Sequence, residues 1–502
     1  MFLPIWASAV DFTDANGIIY ELGGKGSMKV AKVKGTTTTC RATKVLNIPA
    51  TVNDGTDTYT VTTICSGSCA GMFDEPICWD KVVIPATITT IETGAFMMSQ
   101  VTTLDVEDLE AWCKITVSDF YNGSNGYYTY ISPSQFCVKG TTVRNLVIPS
   151  SITYISKGLF RDFKCFDSVT IPGTVVDIED WAFSGCTFSS LTLGEGIKTI
   201  GREAFANCNN LTAVTIPESV EGPGGSNERI FSGCQNLTSV VIKGGIVGEM
   251  FSGCSNLTDI TFDTNCSNID RYAFSGTGIT SIIIPSSVQY ISGGAFENCL
   301  QLKTVIIKRD SGDNESCLGL GLAGYSFGNC PFLENFYCEV PFSKVSTNEN
   351  PFENSQVNEG ATLHVPSADI TSYKTTYPWS LFTYVVALSG TTPPSPTTKC
   401  DKPVISYANG KIDFTCSTSD VEFVSSVTSE DVKNYSGSSI TLSQKYTVSV
   451  YATKAGCDDS DVATMDIIIT GSGTAIVVGD MDGNGKLDAA DVVKLVDKIM
   501  GR

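Results

Sequence analysis

One histidine, His364, stands in 502 residues, and Lys plus Arg total 33 against 53 Asp plus Glu, a formal net charge of −20. With no basic cluster to track a phosphate backbone, nucleic acid and anionic membrane surfaces are poor partners. No apolar run approaches the roughly 20 residues needed to span a bilayer, so no membrane-spanning segment is expected. A Ser-His-Asp triad or a histidine-rich zinc site would have to be built around His364 alone. That residue lies in the alternating segment ATLHVPS, where it reads as a partly exposed strand residue. Carboxylate-pair hydrolysis needs no histidine, but no paired carboxylates recur at a fixed offset. Neither a nucleophile motif nor a Gly-rich phosphate loop is present. An enzyme is not expected.

Self-similarity fills the middle of the chain. Ile-x-x-x-(small)-Phe recurs at Ile91 to Phe96, Ile155 to Phe160, Ile178 to Phe183, Ile200 to Phe205, Ile269 to Phe274 and Ile291 to Phe296. An L-x-x-L-x-L strand follows, as in Leu211-x-x-Val214-x-Ile216 and Leu302-x-x-Val305-x-Ile307, with a period of about 22 or 23 residues. One such coil cannot bury its own apolar face, so coils must stack. The predicted fold class is mainly β: a leucine-rich-repeat solenoid of roughly a dozen coils, then a small β-sandwich and a short calcium loop-helix tail.

The phrases AFANCNNLTAVTIP, MFSGCSNLTDITF and AFENCLQLKTVIIK resemble the BspA-type leucine-rich repeat of bacterial surface proteins. ATLHVPSADITSYKTTYPWSLF, residues 361 to 382, resembles the closing segment of such arrays. The resemblance covers about 80 to 388. It implies a secreted or cell-surface protein that binds other proteins or cells.

Nineteen cysteines invite a disulfide framework. Yet Cys186, Cys208, Cys234, Cys254, Cys299 and Cys330 each follow a repeat phenylalanine by three residues, and Thr277 takes that place after Phe274. Small buried residues occupy this position in leucine-rich repeats, so a ladder of reduced, buried thiols is expected. Cys416 and Cys457 lie outside the array, and both a pair and two free thiols stand as readings.

Two surfaces are candidates for recognition. An insertion at 107–142 carries Trp112, Phe120, Tyr121, Tyr127, Tyr128, Tyr130 and Phe136 among Gly, Ser and Asn. Amphipathic rings with small polar neighbours suit a binding loop. Trp112, Tyr121, Tyr127, Tyr128 and Tyr130 are its candidate ligand-binding residues, against the alternative that the rings pack the insertion onto its own solenoid. The second surface is the outward strand face, with Thr212, Thr215, Thr238, Ser239, Thr258, Thr280, Ser281 and Thr304. Its hydroxyls could bond a glycan or a protein, although threonine is also a good exposed strand residue.

The remaining segments read as follows. Residues 1–78 form an N-terminal β cap, opened by MFLPIWASAV, whose Ala7-Ser8-Ala9 fits a truncated signal remnant or an ordinary strand. The solenoid takes 79–388 and a Pro/Thr linker 389–399. Residues 400–472 alternate like a small β-sandwich with a hairpin at ANGK; they are similar to immunoglobulin-like modules. In 473–502, Asp480, Asp482, Asn484, the Lys486 carbonyl, Asp488 and Asp491 stand at positions one, three, five, seven, nine and twelve of a calcium loop, with Gly485 at the turn. Calcium is the expected cofactor. GDMDGNGKLDAADVVKLVDKIMG is similar to one repeat of a type I dockerin, which implies docking to a scaffold. Dockerins carry two repeats and this sequence has one. The apolar helix after Asp491 must therefore be covered by the sandwich, a second copy in self-association or a partner, and a purely structural calcium loop is an equal reading.

The expectation is thus an adhesin-like secreted or surface binding protein. Its solenoid would meet an extracellular protein or carbohydrate ligand, and its tail would tether it. The alternative is a non-catalytic subunit of a glycan-degrading extracellular complex, docked through that tail.

Overall fold

The computed structural model divides into two units, residues 1–390 and 391–502. The described residues are 10–388, less 26–27, 70–76, 93, 98, 119–130, 222–227, 247, 263–265, 310–318 and 348, together with 404–408, 411–416, 422–436, 439–453, 463–470 and 475–478.

The first unit is a mainly β solenoid of about 12 turns with few helices. Each coil places one strand on a front wall and, in most coils, a short one on a back wall. Front strands pair in parallel with their apolar positions in register. Leu46 aligns with Val82, Leu104 and Phe136, and Leu146 with Val169 and Leu191. Later, Ile282 aligns with Val305, Phe336, Leu363 and Val385. All of these side chains are buried. Because strand side chains alternate, the residues between them face outward in equally strict rows.

The repeat phenylalanines stack along the interior. Phe160, Phe183, Phe205, Phe231, Phe251, Phe274, Phe296 and Phe327 follow one another at centroid distances of 5.0 to 5.6 Å with interplanar angles of 4 to 10°. Phe231 and Phe327 lack the isoleucine five residues before them, where Ser226 and Leu322 stand, and the cysteine three residues on marks them. Stacked aromatic rings add to the area they bury, and full burial of each ring locks one coil onto the next.

Both ends of this core are closed. At the start, Val10–Thr13, Ile18–Lys25 and Met28–Thr36 form an antiparallel meander. Met28–Thr36 then pairs in parallel with Thr58–Ile64, which leads into the back wall. Parallel stacking of the front wall begins at Val45, inside the segment expected to be only a cap. At the far end Trp379, Phe382 and Tyr373 close over Phe336 and Phe352. The buried Tyr373 hydroxyl donates to the Val340 carbonyl at 3.0 Å.

In the second unit, Val404–Ala408 and Lys411–Thr415 pair antiparallel, with Ala408 opposite Lys411, as the hairpin signal ANGK predicts. Glu422–Ser436, Ser439–Thr453, Ala463–Thr470 and Ala475–Val478 make a four-stranded antiparallel meander. Its last strand lies beyond residue 472, within the segment expected to belong to the tail.

Candidate binding surfaces

The sequence-predicted candidates separate into three groups. Trp112 does not face a ligand. Asp108 caps the helix Leu109–Cys113, accepting from Ala111 N–H at 2.8 Å. That helix turns the indole inward, against Phe136 at 6.1 Å and Phe163 at 6.5 Å. Trp112 is 2% exposed and Phe136 fully buried, so the described base of the insertion belongs to the core. Burial of a ring this large outweighs its use as a surface contact. Tyr121, Tyr127, Tyr128 and Tyr130 lie outside the described residues. So do Asp480, Asp482, Asn484, Lys486, Asp488 and Asp491. Among the described residues no group of three or more His, Cys, Asp or Glu is arranged to hold a metal.

The thiols are where the repeat places them. Cys186, Cys208, Cys234, Cys254, Cys299 and Cys330 are buried and unpaired. Each Sγ donates to the carbonyl of the repeat phenylalanine one coil earlier, at 3.1 to 3.3 Å. Thr277 donates its hydroxyl to Phe274 O at 2.9 Å. Burial pushes the Cys299 thiol up to about 11. Such thiols stay protonated and unreactive.

The outward strand face is the surface the fold leaves open. The predicted hydroxyls Thr212, Thr215, Thr238, Thr258 and Thr280 are exposed, and Ser239, Ser281 and Thr304 are half-buried. At the C-terminal end the face divides into two parallel rows. Ser281, Thr304, Asn335, Thr362 and Tyr384 form one; Ile283, Ile306, Tyr337, His364 and Val386 form the other, in which Ile306 is buried and the accessible stretch is Tyr337, His364 and Val386. Tyr337 and His364 stack at 4.0 Å with an interplanar angle of 12°. His364 Nε2 lies 3.2 Å from Asn335 Oδ1. Partial burial pulls the His364 pKa below its ordinary value, so the ring is neutral near pH 7 and the platform carries no charge. Tyr384 and Val386 extend it, 56% and 39% exposed. Reading threonines alone missed the second row. Its signal was the third residue of each strand, which changes from Thr215 to Ile283, Tyr337 and His364 along the array.

Residues 129–246 and 226–358 match the BspA type leucine rich repeat region, in six copies. The matched stretch, residues 129–358, lies within the solenoid and is similar to that repeat region. No curated protein matches the chain. A leucine rich cell surface protein from Faecalibacterium prausnitzii is 20% identical with a TM-score of 0.35, over 66% of this chain and 95% of that one. A leucine-rich repeat protein from Bacteroides ovatus is 15% identical with a TM-score of 0.32, over 66% and 98%. The pneumococcal vaccine antigen PcpA is 13% identical with a TM-score of 0.42, over 76% and 99%. No described helix is long and apolar enough to cross a membrane.

Proposed function

We propose that this chain is a secreted or surface-displayed, non-enzymatic binding protein. Its solenoid presents the front wall to an extracellular ligand, and its C-terminal loop holds calcium and organises a tether. The observation that carries this reading is the two-row face ending in Tyr337, His364, Tyr384 and Val386. An uncharged row of rings and aliphatics beside a row of hydroxyls and an amide can bury apolar surface while pairing polar groups, as recognition surfaces do. The match to the BspA-type repeat region and the cell-surface description carried by the F. prausnitzii protein agree with it.

The test is capture of partners from secretome and extracellular-matrix extracts by the full chain and by Tyr337→Ala, each in calcium and in chelator. Capture lost in Tyr337→Ala, with an unchanged melting curve, supports recognition by the front wall. Capture that ignores Tyr337 and disappears in chelator makes the tail the interface, and the chain a docked, non-catalytic subunit of a larger extracellular assembly.

A further inference from the structure

The back wall is not continuous. Thr116–Ser118 pairs with Thr90–Glu92, but no strand ladder joins it to the next back strand, Tyr154–Ile155. Instead the Val117 N–H donates to Ser156 Oγ at 2.9 Å. Regular pairing resumes beyond, aligning Tyr154 with Asp177 and Thr199. A cavity of about 540 Å3 opens over this junction, lined by Thr116, Ser118, Tyr154, Asp177 and Thr199, with Lys157, Glu179 and Asp180 at its edge. That volume lies within the usual range of ligand sites, about 300–1,000 Å3.

The chemistry of the lining is specific. Strand alternation sends Ile155, Ile178 and Ile200 to the core, so Tyr154, Asp177 and Thr199 stand together on the outer side. Each carboxylate is oriented through one oxygen. Asp177 accepts from the Thr199 hydroxyl, Glu179 from Lys157 N–H at 2.9 Å, and Asp180 from Arg202 N–H at 2.8 Å. The second oxygen of each has no partner among the described residues. Lys157 Nζ is held over the Trp181 ring, 4.9 Å from its centroid. Burial, and then the nearby Asp177 and Asp180, raise the Glu179 pKa.

We infer that this cleft binds a neutral, hydroxyl-rich carbohydrate, an inference that rests on reading the chain as an extracellular binding protein. Asp177, Glu179 and Asp180 are balanced by Lys157, Arg161 and Arg202, which gather over the Trp181 ring, so the cleft offers no net charge to attract a strongly charged ligand. The same carboxylates accept charge-assisted hydrogen bonds from sugar hydroxyls. The Thr116 hydroxyl can both donate and accept, the Thr199 hydroxyl, which gives its proton to Asp177, can accept, and the half-buried Tyr154 ring stands beside them for the apolar side of a pyranose. A cationic peptide would pair with the carboxylates but would leave these hydroxyls and the ring without a role.

The experiment probes the full chain on a printed array of neutral, acidic and amino-bearing oligosaccharides, then titrates the neutral oligosaccharide bound most strongly, at low and high salt. Asp177→Asn, Tyr154→Ala and, as a front-wall control, Tyr337→Ala are compared, each with its melting curve. A neutral oligosaccharide should bind with little salt dependence and be weakened about tenfold or more by Asp177→Asn. Tyr337→Ala should leave it unchanged. Absence of neutral binding, affinity that collapses with salt, or an Asp177→Asn variant that binds normally would overturn the inference. Should Tyr154→Ala fail to fold, Asp177→Asn still decides. A failed cleft with Tyr337-dependent capture intact leaves the proposed function standing.

Discussion

Cys208 Sγ donates to the carbonyl oxygen of Phe183, one coil earlier, at 3.3 Å, and the same oxygen accepts Cys186 N–H at 3.2 Å. At six positions a thiol thus ties one coil to the previous one where the stacked phenylalanine leaves the backbone, whereas Thr277 bonds the Phe274 carbonyl of its own coil. Cys208→Ala should lower stability by about 1–2 kcal/mol, through the small cavity and the lost bond. Cys208→Thr should cost less than about 1 kcal/mol, because Thr277 already fills the equivalent place with a similar volume and a donor. Melting temperatures under reducing conditions measure both. Equal losses would show that the bond contributes little.

Two glycines beside repeat phenylalanines differ in what surrounds them, Gly276 two residues after Phe274 and Gly294 two residues before Phe296. Gly276 (φ 70°) has only Gly253 backbone near an added Cβ, at 3.8 Å, whereas Gly294 (φ 68°) would drive one into the Tyr272 ring at 2.1 Å. Gly276→Ala should therefore cost the left-handed strain alone, about 1–2 kcal/mol. Gly294→Ala should cost more, since Tyr272 must also move. Thermal unfolding of the two variants gives the comparison, and a reversed order would contradict the packing.

Alkaline pH should destabilise the solenoid. Burial raises the thiols of Cys299 and Cys338 to about 11, and those of Cys69, Cys113 and Cys165 to about 12, from an ordinary 9.0. The folded state holds these protons more tightly than the unfolded chain. Their contribution is therefore complete below about pH 9 and is lost as pH rises through the folded values. Melting temperature should be flat through neutrality and fall between about pH 9 and 12 in reductant. A profile flat to pH 12 would mean that the thiols are not held this way.

Calcium should act on the tail. Asp480 and Asp491 contribute the first and last positions of the proposed loop. Asp480→Ala or Asp491→Ala should abolish calcium uptake by titration calorimetry, while the melting of the solenoid stays unchanged in chelator. Persistent stoichiometric uptake in both variants would place any calcium elsewhere.

The sequence by itself determined the solenoid. A strand step of two and a coil step of about 22 or 23 residues leave Val214, Val240 and their equivalents nowhere to go except a shared interior, and the cysteines at phenylalanine plus three followed from the same register. What only the tertiary structure decided is which surfaces are open. Trp112 looked like a ligand contact in a Gly- and Ser-rich neighbourhood, but the Asp108 cap turns its helix toward Phe136 and Phe163. Tyr337 and His364 lie 27 residues apart in the chain, and Tyr154, Asp177 and Thr199 lie in three separate coils. Lateral pairing of parallel strands brings each set together, and no local pattern encodes that lateral step. The break above Val117 has the same origin, because a cleft is a failure of pairing between coils and not a property of either one.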